Sequence, residues 1–252
     1  MKLHRYDVHV PLDGLREDAR RAVERWDWNR GAFGHALSLP SSRDLHPYAR
    51  HRYHNYPCTG ILDRCPHLRA VFDALLCEKV SFRLLRREPA SAYAWHTDRW
   101  KGPGVVRFQI PIVSDSEAFL VTTDYDHEDR VRGVGRVLTA DTYETFAAAN
   151  AGHFARHYLE PGLLHYFDTT RVHTLVNPGP GERLTLSFDL VANAWLRERF
   201  PAVAEELGQG PPAVLPRPGL LAQGSAWALA QLHPARTRAR QWMRQRHARP
   251  AP

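Results

Sequence analysis

Cysteine is scarce in this chain and badly spaced for chemistry. Three residues in 252, Cys58, Cys65 and Cys77, show no C-x-x-C spacing, which argues against a zinc or dithiol site and fits a reducing compartment. No apolar run approaches the length of a membrane-spanning helix, so no membrane span is expected. The opening MKLHRYDVHVPLDGL places charges where a secretory leader needs its apolar core, and a cytoplasmic protein is the expectation. No internal repeat is found. Acidic residues are missing from one stretch only: residues 211–252 carry seven Arg and no Asp, Glu or Lys, so the formal charge of +7 arises there. Residues 1–210 balance 27 basic against 27 acidic side chains, which removes the charge argument for a nucleic-acid-binding body. What is present is ordinary: 43% hydrophobic and 24% charged residues suit one main core of sizeable volume.

Helical spacing of Leu15, Ala19, Ala22, Val23 and Trp26 predicts a helix over 12–26, with Asp13 placed to cap it. Leu68, Val71, Phe72, Leu75 and Leu76 predict a second over 67–79. Between them HRYHNYP (51–57) reads as an ordered loop over the core, with substrate contact as the alternative. The period then changes. Segments 79–88, 105–113, 118–123, 162–168, 172–177 and 183–191 are short, β-branched or aromatic and bounded by Pro, Gly, Asp or Asn, the pattern of a sandwich or barrel. A helix is expected over 141–158, opened by a capping box of Asp141 and Glu144, and another from Trp195 to about Leu207. GQGPPAVLPRPG (208–219) reads as a linker, and the basic segment beyond it as two short helices split at Pro234. The expected organisation is a domain over 1–207, its motif-bearing core at 80–191, followed by the linker and helical extension over 208–252.

Two residues apart on an extended strand, His96 and Asp98 of AYAWHTDRW share a face and can meet one ion. A lone His-x-Asp is weak, and the chain carries a decoy, His127 and Asp129, in the polar run DYDHEDR without apolar support. His173, in VHTLVN, lies on a strand able to return to the same mouth of a barrel and complete two histidines and one carboxylate. That ligand set leaves open positions on an octahedral iron for a chelating cosubstrate and oxygen. Arg183, ten residues on, opens a strand and faces either solvent or a buried anion, which its planar fork suits. Arg83, Arg86, Arg87 and Arg99 flank the metal segment as anion contacts or as solvated strand-edge charges. Trp95 and Trp100 bracket the ligands, Trp95 as core packing. Asp168 and Asn177 read as turn residues.

These residues resemble the aspartyl/asparaginyl β-hydroxylase family of iron(II) and 2-oxoglutarate oxygenases. The resemblance spans roughly residues 80–191 and rests on EPASAYAWHTD, VVRFQIPIV, PGLLHYFD, and the separation of His173 from Arg183. It implies a mainly β fold, a double-stranded β-helix (jelly-roll, cupin-like) core with flanking helices. It also implies iron on His96, Asp98 and His173, and 2-oxoglutarate held by the metal and by Arg183. Arg107 matches a second family arginine near the cosubstrate's other carboxylate. The chain departs from the animal peptide hydroxylases, which have Gly in place of Asp98. A family serine aligns with Leu85, and a family histidine with Gln109.

The implied activity is 2-oxoglutarate- and O2-dependent hydroxylation of a small polar substrate, first a free amino acid or an amino-acid-like pathway intermediate. Alternatives within the same chemistry are desaturation, cyclisation, demethylation or peptidyl Asp/Asn hydroxylation. From another class comes a non-catalytic cupin-like protein that binds a metal or small anion, for which Arg183 would have no evident use. No nucleic-acid partner is expected, though the arginine-rich tail is the place for one, and a homodimer is admitted.

Overall fold

The computed structural model describes residues 3–6, 10–26, 29–31, 34–39, 61–93, 95–98, 104–116, 118–123, 140–149 and 152–208. The elements, in order, are β1 (Leu3–Tyr6), α1 (Leu12–Arg25), β2 (Asn29–Gly31), β3 (Gly34–Ser38), α2 (Pro66–Ala74), β4 (Lys79–Arg87), β5 (Ser91–Ala92), β6 (Val105–Val113), β7 (Phe119–Thr123), α3 (Ala140–Ala149), β8 (Phe154–Tyr158), β9 (Leu164–Phe167), β10 (His173–Asn177), β11 (Arg183–Val191), α4 (Ala194–Arg199) and α5 (Pro201–Gly208).

Two antiparallel sheets result, in the orders β1-β9-β6-β11-β4-β3-β2 and β5-β10-β7-β8. From β4 to β7 and again from β8 to β11 the chain alternates between them, with β7 and β8 adjacent in the smaller sheet, so that β4 pairs β11, β11 pairs β6 and β6 pairs β9, while β5 pairs β10, β10 pairs β7 and β7 pairs β8. This is the winding of a double-stranded β-helix, and the expected cupin-like jelly roll is present. β1, β2 and β3 extend the larger sheet at its two ends; none was expected.

Strict alternation in β11 divides the larger sheet. Leu184, Leu186, Phe188 and Leu190 join the main core with Leu15, Ala19 and Leu68 of the two covering helices, Phe82 and Leu84 of β4, and Phe108 and Ile110 of β6. Each of these Leu, Ile and Phe side chains contributes about 1.5–3 kcal/mol on burial. Arg183, Thr185, Ser187 and Asp189 point the other way and are buried as well, because the second sheet closes over them. Between the sheets Leu120, Leu159 and Phe167 form a small apolar cluster. On the outside of the smaller sheet Val121, Val176 and Trp95 pack with Tyr143 and Ala147 of α3.

Several local expectations change. Asp13 does not cap α1; it pairs with Arg16 at 3.1 Å. The capping carboxylate is instead the buried Asp18, which accepts from the backbone N–H groups of His67 (2.7 Å) and Leu68 (2.9 Å) and so starts α2 from another helix. α2 stops at Ala74, because Lys79 captures the carbonyls of Leu75 and Cys77 and Asn193 that of Leu76, leaving Leu76 63% exposed. The single helix expected over 141–158 is α3 followed by β8: Gly152, at φ +92°, turns the chain, and Arg156 of β8 pairs with Glu144 at 2.9 Å. The last helical stretch breaks at Phe200 into α4, capped by the Asn193 side chain, and α5, opened by Pro201.

The described elements belong to the unit Met1–Gly210. The 51–57 loop, His127, Asp129, Arg99, Trp100, the linker from 209 and the basic segment lie outside the described residues. No described helix is long and apolar enough to cross a membrane.

Candidate metal centre and anion pocket

Two strand segments position the three expected ligands. The backbone N–H of His96 donates to the His173 carbonyl (3.1 Å) and that of His173 to the His96 carbonyl (3.0 Å), so the two residues are direct antiparallel partners with side chains on one face. Their ring centroids are 4.2 Å apart. Two residues along, Asp98 repeats the orientation of His96, its backbone tied to the Thr169 carbonyl at 2.8 Å. One ligand atom from each of His96, Asp98 and His173 lies within 4.8 Å of the others, a set able to hold a metal ion. His173 Nδ1 lies 2.8 Å from the Arg171 carbonyl, which can only accept; Nδ1 therefore carries the proton and Nε2 presents its lone pair. Phe167 packs edge-on against the same ring at 5.2 Å. Tyr93 lies 4.6 Å from the His96 ring. Trp95 points to the opposite face and stacks on Phe154 at 5.1 Å, the core role expected of it.

The carboxylate is supported from the larger sheet. Arg107 Nη1 donates to Asp98 Oδ2 at 2.5 Å, while its Nε and Nη2 donate to the two oxygens of Asp189 at 2.8 and 2.9 Å. Asp189 also accepts from Ser81 at 2.6 Å and faces Arg83 at 3.6 Å. All five side chains are buried. Asp189 and Ser81 were not anticipated as part of the site, although the alternation of RLTLSFDLV puts Asp189 on the face of Arg183; Arg83, expected as an anion contact or a solvated strand-edge charge, meets the Asp189 carboxylate.

At the far end of β11 Arg183 is 2% exposed. Nε donates to Thr185 Oγ1 at 3.3 Å, and Nη1 and Nη2 have no partner among the described residues. Burial, and then the neighbouring charge of Arg87, push its pKa down to about 10. Arg87 lies opposite Arg183 in the register and is itself lowered to about 10 by burial, its guanidinium 4.0 Å over the Tyr93 ring. A buried cation without an anion costs several kcal/mol, on the order of the marginal stability of a domain. The arrangement therefore suits an anion supplied from outside the chain. Between Arg183 and Asp189, the register aligns His165, Gln109 and Ser187 across three strands, and each has a buried polar atom without a partner among the described residues. Burial lowers the His165 pKa, so its ring is neutral, and it meets the Glu160 carbonyl at 3.0 Å.

Among the described residues Arg83, Arg86 and Arg87 are not on a sheet edge, because β4 is an interior strand: Arg83 is buried and faces Asp189, Arg86 is partly exposed and pairs with Glu182 at 2.6 Å, and Arg87 is on Tyr93. Asp168 and Asn177 stabilise turns as expected, Asn177 from the last position of β10. Asp168 accepts from the N–H and hydroxyl of Thr170, and Asn177 donates to the carbonyls of Glu88 and Gly181.

No protein-family model and no curated protein matches the sequence. Among solved structures the chain is similar to HygX from Streptomyces hygroscopicus with nickel and 2-oxoglutarate bound, at a TM-score of 0.47 and 10% identity over 76% of this chain and 83% of that one. It is also similar to AviO1 from Streptomyces viridochromogenes Tue57 (TM-score 0.41, 16% identity, 76% and 90% covered). A third is a prolyl-4-hydroxylase from Pseudomonas putida (TM-score 0.42, 15% identity, 76% and 93% covered).

Proposed function

We propose that the chain is an iron(II)- and 2-oxoglutarate-dependent oxygenase that hydroxylates a small polar molecule, a free amino acid or an amino-acid-like intermediate. The observation that carries this is the pairing of a two-histidine, one-carboxylate cluster with a buried arginine whose Nη1 and Nη2 have no partner among the described residues, both inside one jelly roll. Hard oxygen and imidazole donors in a three-residue set suit iron(II) with positions left open. A passive metal store would not need to bury Arg183.

In this reading His96, Asp98 and His173 hold the metal and Arg183 takes the distal carboxylate of the 2-oxoacid. Arg107 stands at the metal-proximal end, as the family resemblance implies, and there it also holds Asp98. Iron bound at this site supplies oxygen activation coupled to oxidative decarboxylation of the 2-oxoacid. The protein keeps the His173 tautomer fixed through Arg171, and Phe167, Leu120 and Leu159 keep water from the space between the sheets. Asp98 supports the assignment to oxygenases that retain all three ligands, within or beside the aspartyl/asparaginyl β-hydroxylase family. The test is anaerobic addition of iron(II) and 2-oxoglutarate to metal-free protein. A weak visible charge-transfer band is expected; its absence, with both components present in excess, overturns the reading in favour of a non-catalytic binding protein.

A further inference from the structure

The space between the sheets holds a buried titratable side chain that neither the metal cluster nor Arg183 uses. On β9, His165 points to the same side as Phe167, and the register sets it beside Gln109 of β6, which lies beside Ser187 of β11. His165 is wholly buried. Its Nε2 lies 3.0 Å from the Glu160 carbonyl, which only accepts, so Nε2 carries the proton. Nδ1 is then a bare acceptor, and it has no partner among the described residues. Burial, with the charges of Arg5 and Arg183, disfavours the protonated ring, while Glu160 favours it. The other charges around it come from Arg107 and Arg83, which both meet Asp189, and from His157 of β8, whose pKa is lowered by burial and by Arg5.

We propose that His165 is a further binding residue of the anion pocket: as the 2-oxoacid enters, Nδ1 takes a proton from solvent and donates in a hydrogen bond to a carboxylate oxygen of the bound anion. This rests on the reading of Arg183 as the anchor of 2-oxoglutarate. The dianion offsets the repulsion between Arg183 and a charged imidazole and gives the new N–H an acceptor. An unprotonated Nδ1 would face the carboxylate lone pair to lone pair. Binding is thereby coupled to proton uptake, and 2-oxoglutarate affinity rises as pH falls.

The experiment is anaerobic calorimetric titration of the iron(II)-loaded protein with 2-oxoglutarate at about pH 6.5, in two buffers of different ionisation enthalpy; both carboxyls of the titrant are already ionised there. The wild type should take up a fraction of a proton per anion bound. His165→Gln keeps an amide near Glu160 and removes the Nδ1 position. It should lose the uptake and bind about tenfold more weakly, the worth of a hydrogen bond to a charged group. His165→Asn places an amide N–H where Nδ1 stood and should recover affinity without restoring the uptake. Wild-type binding without proton uptake overturns the proposal, as does uptake retained in a folded variant. A second readout needs no variant: in 15N-labelled, zinc(II)-loaded protein the His165 Nδ1 resonance should move from imidazole to imidazolium values on adding 2-oxoglutarate, and an unmoved resonance overturns the proposal. Failure of the wild type to bind 2-oxoglutarate at all sinks the oxygenase reading itself, and this proposal with it.

Discussion

His96 and His173, 77 positions apart, exchange both of their backbone hydrogen bonds, so the spacing of the two imidazoles is set by β-ladder geometry and not by a flexible loop. Asp98 is held beside them by its own backbone bond to the Thr169 carbonyl. A ligand set held in this way is preorganised before any metal arrives.

Removing either imidazole should therefore abolish metal binding while leaving the fold intact. His96→Ala and His173→Ala are expected to melt near the wild-type temperature and to show no saturable iron(II) or cobalt(II) uptake, because each takes one of three protein ligands. His127→Ala should bind like the wild type. Inactivation by His127→Ala alone would identify the wrong His-x-Asp pair.

Arg183→Met should separate binding from stability. Loss of one partner of a buried charge pair costs about 2–5 kcal/mol, so 2-oxoglutarate affinity should fall roughly thirtyfold or more. The metal-free protein should melt higher, since an unpaired buried cation is replaced by an apolar chain. Unchanged 2-oxoglutarate dependence would count against the anion pocket.

Asp98→Gly removes the one anionic ligand and also leaves Arg107 with less countercharge. Weaker iron affinity is expected. Product mass spectrometry in chloride buffer should show hydroxylated and no chlorinated product from the wild type, because the carboxylate occupies the position a halide would need. Chlorinated wild-type product or unchanged iron affinity in the variant would remove Asp98 from the ligand set.

Stability should fall with acid through His165. Burial is the main cause lowering its pKa from 6.5; the charges of Arg5 and Arg183 add to this, and the Glu160 carbonyl opposes it. Below 6.5 the unfolded chain binds a proton that the folded chain refuses, so stability is full above that value and is lost as pH falls towards the lower folded pKa. Melting curves between about pH 7 and pH 5 should show a shallower decline in His165→Gln than in the wild type.

Trp95→Ala should cost about 3–5 kcal/mol, as an aromatic deletion in a packed cluster does, while cobalt(II) affinity of the folded fraction is retained. A selective loss of metal affinity without destabilisation would place Trp95 in the site after all.

The candidate ligand cluster and the strands of the jelly roll were legible in the sequence because the His96–Asp98 spacing and the strands follow the two-residue period of an extended chain. His96 and Asp98 must share a face, and the strands at 105–113 and 183–191 are found with the expected bounds. Helix ends were less legible. Asp18 caps α2 from 49 residues away, and the end of α2 depends on Lys79 and Asn193, neither of which belongs to the helix. FARHY looked helical because its neighbours are; it is a strand because β7 offers an unpaired edge.

By itself the sequence determined which residue types could bind iron and an anion, since ligand chemistry and strand alternation are local properties. The tertiary structure decided how they cooperate. That Arg107 serves Asp98 and Asp189 together, that Arg183 is buried beside Arg87, and that His165, Gln109 and Ser187 line up between them follow from the register of β4, β6, β9 and β11. Register is a relation between distant segments, set when the larger sheet buries one face under helices and closes the other beneath the second sheet.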